Sequence, residues 1–322
     1  MSTNTDRIDI DKPRWDQNTF MGRFKRFFNV TNPMNGLHSD KELFQAKELV
    51  EAYRENREPP GTTLQQIRQA KTIYDSAFHP DSGDLMNVIG RMSFQVPGGM
   101  IITGCMLQWY RTMPAVVFWQ WINQSFNALA NYTNRNAKSP ISTTQLGAAY
   151  VSATSAAVAT ALALNSLTKR ARPVVARLVP FAAVAAANCV NIPLMRQREL
   201  LDGIIVTDQD GNNIGESKVA ARKAISQVCV SRITMAAPGM TFLPFFMERF
   251  DKTPFMKRFP FLGAPIQTFF VGMFLIVMTP AACAIFPQKS SLQTDKLESQ
   301  LQEIISKKYD NSIEKVYFNK GL

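Results

Sequence analysis

Histidine is nearly missing from this 322-residue chain, which has only His38 and His79, and cysteine is sparse at four. Two imidazoles supply no histidine-rich metal or haem centre, and a nucleophile–histidine–carboxylate triad is hard to build from them. Cys105, Cys189, Cys229 and Cys283 stand far apart, each inside an apolar stretch and none in a Cys-x-x-Cys pair. Such spacing excludes a disulfide framework or zinc knuckle and fits thiols that pack as small hydrophobes. Acidic side chains are missing wherever the chain is long and apolar. The sequence therefore predicts no enzyme, no bound metal and no cofactor.

An apolar core after Met1 is missing too, and Asp6, Asp9 and Asp11 fit a mitochondrial presequence poorly. Any organelle address is expected in internal segments. The net charge is +11, while mean hydropathy is only −0.11. The average hides an uneven spread, because long charge-free blocks alternate with short basic flanks. Flanks of that kind suit anionic membrane lipid, and they argue against nucleic acid as a partner.

Residues 1–96 read as a soluble or interfacial helical domain. Phe20, Phe24, Phe27 and Phe28 recur at helical spacing around Arg23, Lys25 and Arg26, a cationic amphipathic helix for a membrane surface or for the protein's own core. Leu43, Ala46, Val50 and Tyr53 form one stripe, and Leu64, Ile67, Ala70, Tyr74 and Phe78 another. His79-Pro80-Asp81-Ser82-Gly83 follows as a tight turn, with His79 and Asp81 as alternative gating candidates at a pathway mouth.

The central stretch opens on Pro97-Gly98-Gly99 and runs apolar to Ile122, interrupted by Arg111 and Pro114. It ends in an amide-rich run that includes Asn123, Gln124, Asn127 and Asn131. About 25 apolar residues are enough to cross a bilayer as a helix. The fold expected is all-α, a membrane protein of about five spans near 97–122, 143–167, 176–195, 224–247 and 264–286. These make a transmembrane domain over 97–287, followed by a tail over 288–322. Small residues in 141–168 suit close helix packing. Asp208, Asp210 and Gly211 read as a solvated hairpin rather than a calcium loop. Leu297, Leu301 and Ile304 give the tail one modest stripe. An odd span count puts the chain ends on opposite sides, with the N-terminal domain beside the basic loops 169–177 and 249–258.

Polar residues at membrane depth are Gln108, Arg111, Gln120, Asn188, Asn191, Gln227, Arg232 and Gln267. No carboxylate or histidine lies with them, which argues against proton coupling and for facilitated movement or exchange. Arg111 and then Arg232 are candidates for pairing a substrate carboxylate, or else they snorkel to headgroups. Asn188 and Asn191 stand one turn apart beside Pro193, which removes a helical donor, and amides serve both needs of a small neutral amino acid. Pro97, Gly98, Gly99 and the Pro238-Gly239 pair are expected helix breaks that mark a site or a plain kink.

Several motifs carry a family resemblance over essentially the whole chain. They are His79-Pro80-Asp81-Ser82-Gly83, Asn87-Val88-Ile89-Gly90-Arg91-Met92-Ser93-Phe94, Asn123-Gln124-Ser125-Phe126-Asn127 and Asn188-Cys189-Val190-Asn191-Ile192-Pro193. The opening Pro13-Arg14-Trp15-Asp16 and the end Tyr317-Phe318-Asn319-Lys320-Gly321-Leu322 belong with them. The chain resembles the sideroflexin family, its second subtype in particular. It departs at Ser82, where the family more often has Thr. The resemblance implies a multi-pass protein of the mitochondrial inner membrane with its N-terminus in the matrix and its C-terminus in the intermembrane space. It also implies transport of serine and other small neutral amino acids into the matrix, in support of one-carbon metabolism. An indirect link to haem and iron homeostasis comes with the second subtype. A tricarboxylate carrier of the citrate type and a non-transporting membrane scaffold are the alternatives. The oligomeric state is left open.

Overall fold

In the computed structural model, residues 7–79, 82–109, 112–133, 143–168, 173–309 and 313–321 are described. The N-terminal part forms the three expected helices. Thr19 caps α1 (Phe20–Val30). Both α2 (Asp40–Arg54) and α3 (Leu64–Ala77) open on capping boxes, Ser39 with Glu42 and Thr63 with Gln66. Leu43, Ala46 and Val50 face Ala70, Ala77 and Phe78, so the two apolar stripes bury one another.

Six long helices follow: α4 (Gln95–Trp109), α5 (Met113–Thr133), α6 (Thr143–Thr168), α7 (Pro173–Met195), α9 (Lys218–Phe250) and α11 (Gly263–Ala284). Between them lie the short α8 (Gln197–Asp202) and α10 (Pro254–Arg258). Helices α6, α7, α9 and α11 cover four of the five stretches expected to span, α9 beginning six residues before 224. The first stretch is not one helix, because residues 97–122 divide between α4 and α5. Pro114 is the second residue of α5, a first-turn position where its missing N–H costs nothing, so it starts a helix rather than kinking one. The expected break at Pro238-Gly239 is also absent: α9 runs unbroken through Pro238 and Pro244.

The six helices alternate in direction. A Cβ on Gly99 would touch Leu275 and one on Gly104 would touch Thr268, so α4 runs antiparallel to α11. Thr133, at the end of α5, packs on Gly90 and accepts a hydrogen bond from Asn87 Nδ2 at 2.6 Å, just before α4 begins. Ser125 and Tyr150 join α5 to the start of α6. Ala161 and Ala183 share a core cluster, and Asn188 meets Cys229, which sets α7 against α6 and α9. The bundle thus has a near end, where α4 starts and α11 finishes, and a far end, where α9 gives way to α11.

Strands correct the all-α expectation. β1 (Ile204–Thr207), β2 (Asn213–Ser217), β3 (Lys289–Gln293) and β4 (Lys315–Asn319) form one antiparallel sheet in the order β2-β1-β4-β3. α12 (Ser299–Tyr309) packs on it, and Val206, Ile214, Leu301, Ile305, Val316 and Phe318 make the shared core. The buried tail stripe therefore uses Ile305, while Ile304 is 44% exposed. The hairpin at Asp208–Gly211 is present, closed by Asp208 accepting from Asn212.

Helix α1 and the C-terminal segment meet at the near end. Arg23 of α1 donates to the carbonyls of Ala284 and Ile285, and Lys320 donates to those of Cys283 and Phe286. Among the described residues, α1 and the C-terminal strand thus lie at one end of the bundle, where an odd span count would place them at opposite ends. Counting residues 97–122 as two helices makes the number even, which is the physical reason.

Two stretches among the described residues, Lys218–Phe250 and Pro260–Ala284, are long and apolar enough to cross a membrane. Only 22% of each apolar window is buried, the reverse of a soluble core helix. Phe242, Phe246, Phe269, Met273 and Val277 all point outward.

Candidate functional site

Gln120 and Gln124 lie one turn apart on one face of α5, and both are essentially sealed from solvent at 0% and 1% exposure. Their setting is apolar: Ile102, Met106, Val116, Ala161 and Ala183, with Trp119, Ile122 and Phe126 around them. Helical spacing of four residues is what aligns the two amides. Asn191 of α7, 5% exposed, completes the cluster by donating its Nδ2 to Gln124 Oε1. Pro193 stands two residues beyond and removes a helical donor, leaving the carbonyl of Cys189 without its intrahelical partner. Beside this cluster Ser125 Oγ and Tyr150 OH share a 2.6 Å hydrogen bond between α5 and α6.

Carboxamides carry donors and an acceptor on one neutral group, so the cluster can exchange its internal bonds for bonds to a neutral polar solute without moving charge. Buried among apolar side chains, such bonds are stronger than in water and strict about geometry.

The remaining candidates are dispersed. Asn127 donates Nδ2 to the carbonyl of Asn123 at 2.9 Å, so it serves its own helix. Asn188 is half-buried, with its carbonyl 4.0 Å from Cys229 Sγ. Arg232 is half-buried on α9 and makes no hydrogen bond or ion pair with any described residue. Arg111 and Asp81 lie outside the described residues. His79 is buried, donates its N–H to the carbonyl of Asp84 at 2.9 Å and accepts from Ser82 N–H at its Nδ1. Pro97, Gly98 and Gly99 occupy the first turns of α4, where a Cβ on Gly98 would fall 2.5 Å from the Phe126 ring. Pro238 and Gly239 sit inside α9, with Gly239 against Phe274. Glycines at these contacts let helices approach closely.

Gln120 stood in the sequence as a polar residue at membrane depth but not as a binding candidate, although its four-residue spacing from Gln124 was the signal that could have found it.

A family profile described as Sideroflexins matches residues 9–322. The chain belongs to the sideroflexin family. Sideroflexin-2 from Bos taurus is 59% identical over 322 residues, and that from Homo sapiens 58%, each match covering 100% of both chains. Sideroflexin-1 from Homo sapiens is 58% identical over 315 residues, 98% of each chain. Both numbered sideroflexins are thus matched alike over essentially their full length. No solved structure matches.

Proposed function

We propose that this sideroflexin carries serine and other small neutral amino acids across the mitochondrial inner membrane into the matrix. Such a role would support one-carbon metabolism and, through it, haem and iron handling. The observation that supports this best is the buried amide cluster of Gln120, Gln124 and Asn191 between α5 and α7. A neutral, hydrogen-bonding site inside an apolar bundle suits a zwitterion whose side chain is small and uncharged. A tricarboxylate would want several cations there, and the cluster itself offers none. The six long helices would lie in the bilayer with their outward phenylalanines in lipid, and both chain ends would share one face.

The experiment is uptake of labelled serine into proteoliposomes by the native chain, by Asn191→Leu and by Asn191→Leu with Gln124→Leu. The single variant leaves the Gln124 amide buried and unsatisfied, whereas the double variant removes both partners and should fold nearly as well as the native chain. The native protein is expected to show saturable uptake that excess serine blocks and citrate does not, with both variants at least tenfold slower. Native-like uptake in the double variant would remove the cluster from the pathway. No uptake by correctly inserted native protein would reject transport itself and favour a scaffold.

A further inference from the structure

At the far end of the bundle a polar cavity opens between α4, α9 and α11. Its volume is about 230 Å³, and Gln108, Met247, Asp251, Met256, Gly263 and Gln267 are among its lining residues. That is smaller than the roughly 300–1,000 Å³ of sites for drug-sized ligands, so it suits a solute of a few heavy atoms. Gln267 is 7% exposed, and its carboxamide makes no hydrogen bond with any described residue. An amide on the cavity wall with no internal bond keeps both its donors and its acceptor for a molecule held there. Gln108, half-buried, is equally unengaged among the described residues, and Asp251 takes part in no ion pair there.

The cavity also has a polarity. α9 ends at Phe250, so the negative end of its dipole and the Asp251 carboxylate lie on one side. α11 begins at Gly263, so the positive end of its dipole lies on the other. A molecule that is cationic at one end and anionic at the other matches both.

We infer that this cavity binds the zwitterionic backbone of a small α-amino acid. The ammonium group lies on Asp251, the carboxylate lies toward the start of α11, and the carboxamides of Gln108 and Gln267 hydrogen-bond the ligand. The site deepens the transport reading and rests on it: it is a mouth station at the far end, separate from the amide cluster between α5 and α7.

The test places a reporter in the cavity without touching its polar groups. A Cβ on Gly263 would sit 3.5 Å from Met256 Cε, an ordinary contact, so Gly263→Cys is expected to fold. In proteoliposomes, a membrane-impermeant maleimide labels that thiol, counted above the labelling of the native chain with its four cysteines. Serine is expected to slow labelling in a saturable way. N-Acetylserine, which lacks the ammonium, and ethanolamine, which lacks the carboxylate, are expected to protect at least tenfold less well. Adding Asp251→Asn or Gln267→Leu to Gly263→Cys should raise the serine needed for half-protection about tenfold, the loss of one charge-assisted or buried hydrogen bond. No protection by serine overturns the inference, as does equal protection by ethanolamine, which would mark a simple cation site. Protection is read without transport, so failed uptake with intact protection rejects only the transport reading. Uptake without protection rejects only this site.

Discussion

At the near end of the bundle the last two carbonyls of α11, those of Cys283 and Ala284, are engaged by buried cations. Arg23 Nε reaches Ala284 O at 2.8 Å, and Lys320 Nζ reaches Phe286 O at 2.9 Å and Cys283 O at 3.2 Å. Both cations are buried, at 7% and 2% exposure, and neither is paired with a carboxylate among the described residues. They complement the negative end of the helix dipole and replace the donors that a helix end lacks. At the far end, by contrast, the side chains of Gln108, Gln267 and Asp251 line a cavity and make no hydrogen bond or ion pair with any described residue. One end of the same helix is closed by the protein's own chain ends, and the other keeps its hydrogen-bonding capacity for something else. Fixed structure and the proposed ligand site are thus separated along the length of α11.

The test with the largest effect is all-or-none. Sealed vesicles carrying the chain with a cleavable tag at each end should lose both tags to protease added on one face. The thiol of Gly263→Cys should label only from the other face. One tag cut and one protected would break the comparison outright, since Arg23 and Lys320 could not then share a helix end.

Next in size is the clamp itself. Lys320→Met deletes two hydrogen bonds from a charged donor and leaves buried carbonyls short of partners. We expect a loss of about 3 kcal/mol, read as a lower thermal midpoint in detergent. The loss is tempered because burial already pushes the Lys320 ammonium below its ordinary value. Lys307→Met, at an exposed pair with Glu303, should stay within about 0.5 kcal/mol and serves as the control. Equal effects at the two positions would mean that the near end is not held by Lys320.

Much of this architecture was legible because charge-free runs of helical length announce themselves. The helices over 143–168, 173–195 and 263–284 are visible in the sequence nearly to the residue. The reversal between Trp109 and Met113 is not, since apolar residues continue on both sides of it and one arginine does not end a span. Arg111 and Pro114 were its local marks, and a proline at a helix start looks like a proline in a kink until the neighbours are known. The sheet was hidden for another reason: its strands are four or five residues long, and Thr207 pairs with Tyr317, 110 positions away. Asn191 stood out as an amide at depth and Gln124 as part of the amide-rich run after Ile122, yet no local pattern shows that they touch across 67 residues.

The smallest effect sharpens the comparison at the near end, where the C-terminal segment also caps the start of α9. The Glu298 carboxylate accepts from Lys218 N–H at 2.6 Å, from Val219 N–H at 2.9 Å and from Ser217 Oγ at 2.9 Å. Burial alone would push this carboxyl up, but the amides of Val219 and Lys218 and the Ser217 hydroxyl outweigh it. The net result holds the carboxyl below its ordinary 4.5. A carboxyl depressed by folding contributes stability that is fully present above the unfolded value. That contribution is lost as pH falls from there through the folded one. Glu298→Gln keeps an acceptor oxygen but not the charge, so it should cost about 1 kcal/mol at neutral pH. The gap in unfolding midpoint between native and variant should hold steady down to about pH 4.5 and close below it. A gap that ignores pH would show that the amide geometry, and not the carboxylate charge, ties the C-terminal segment to α9.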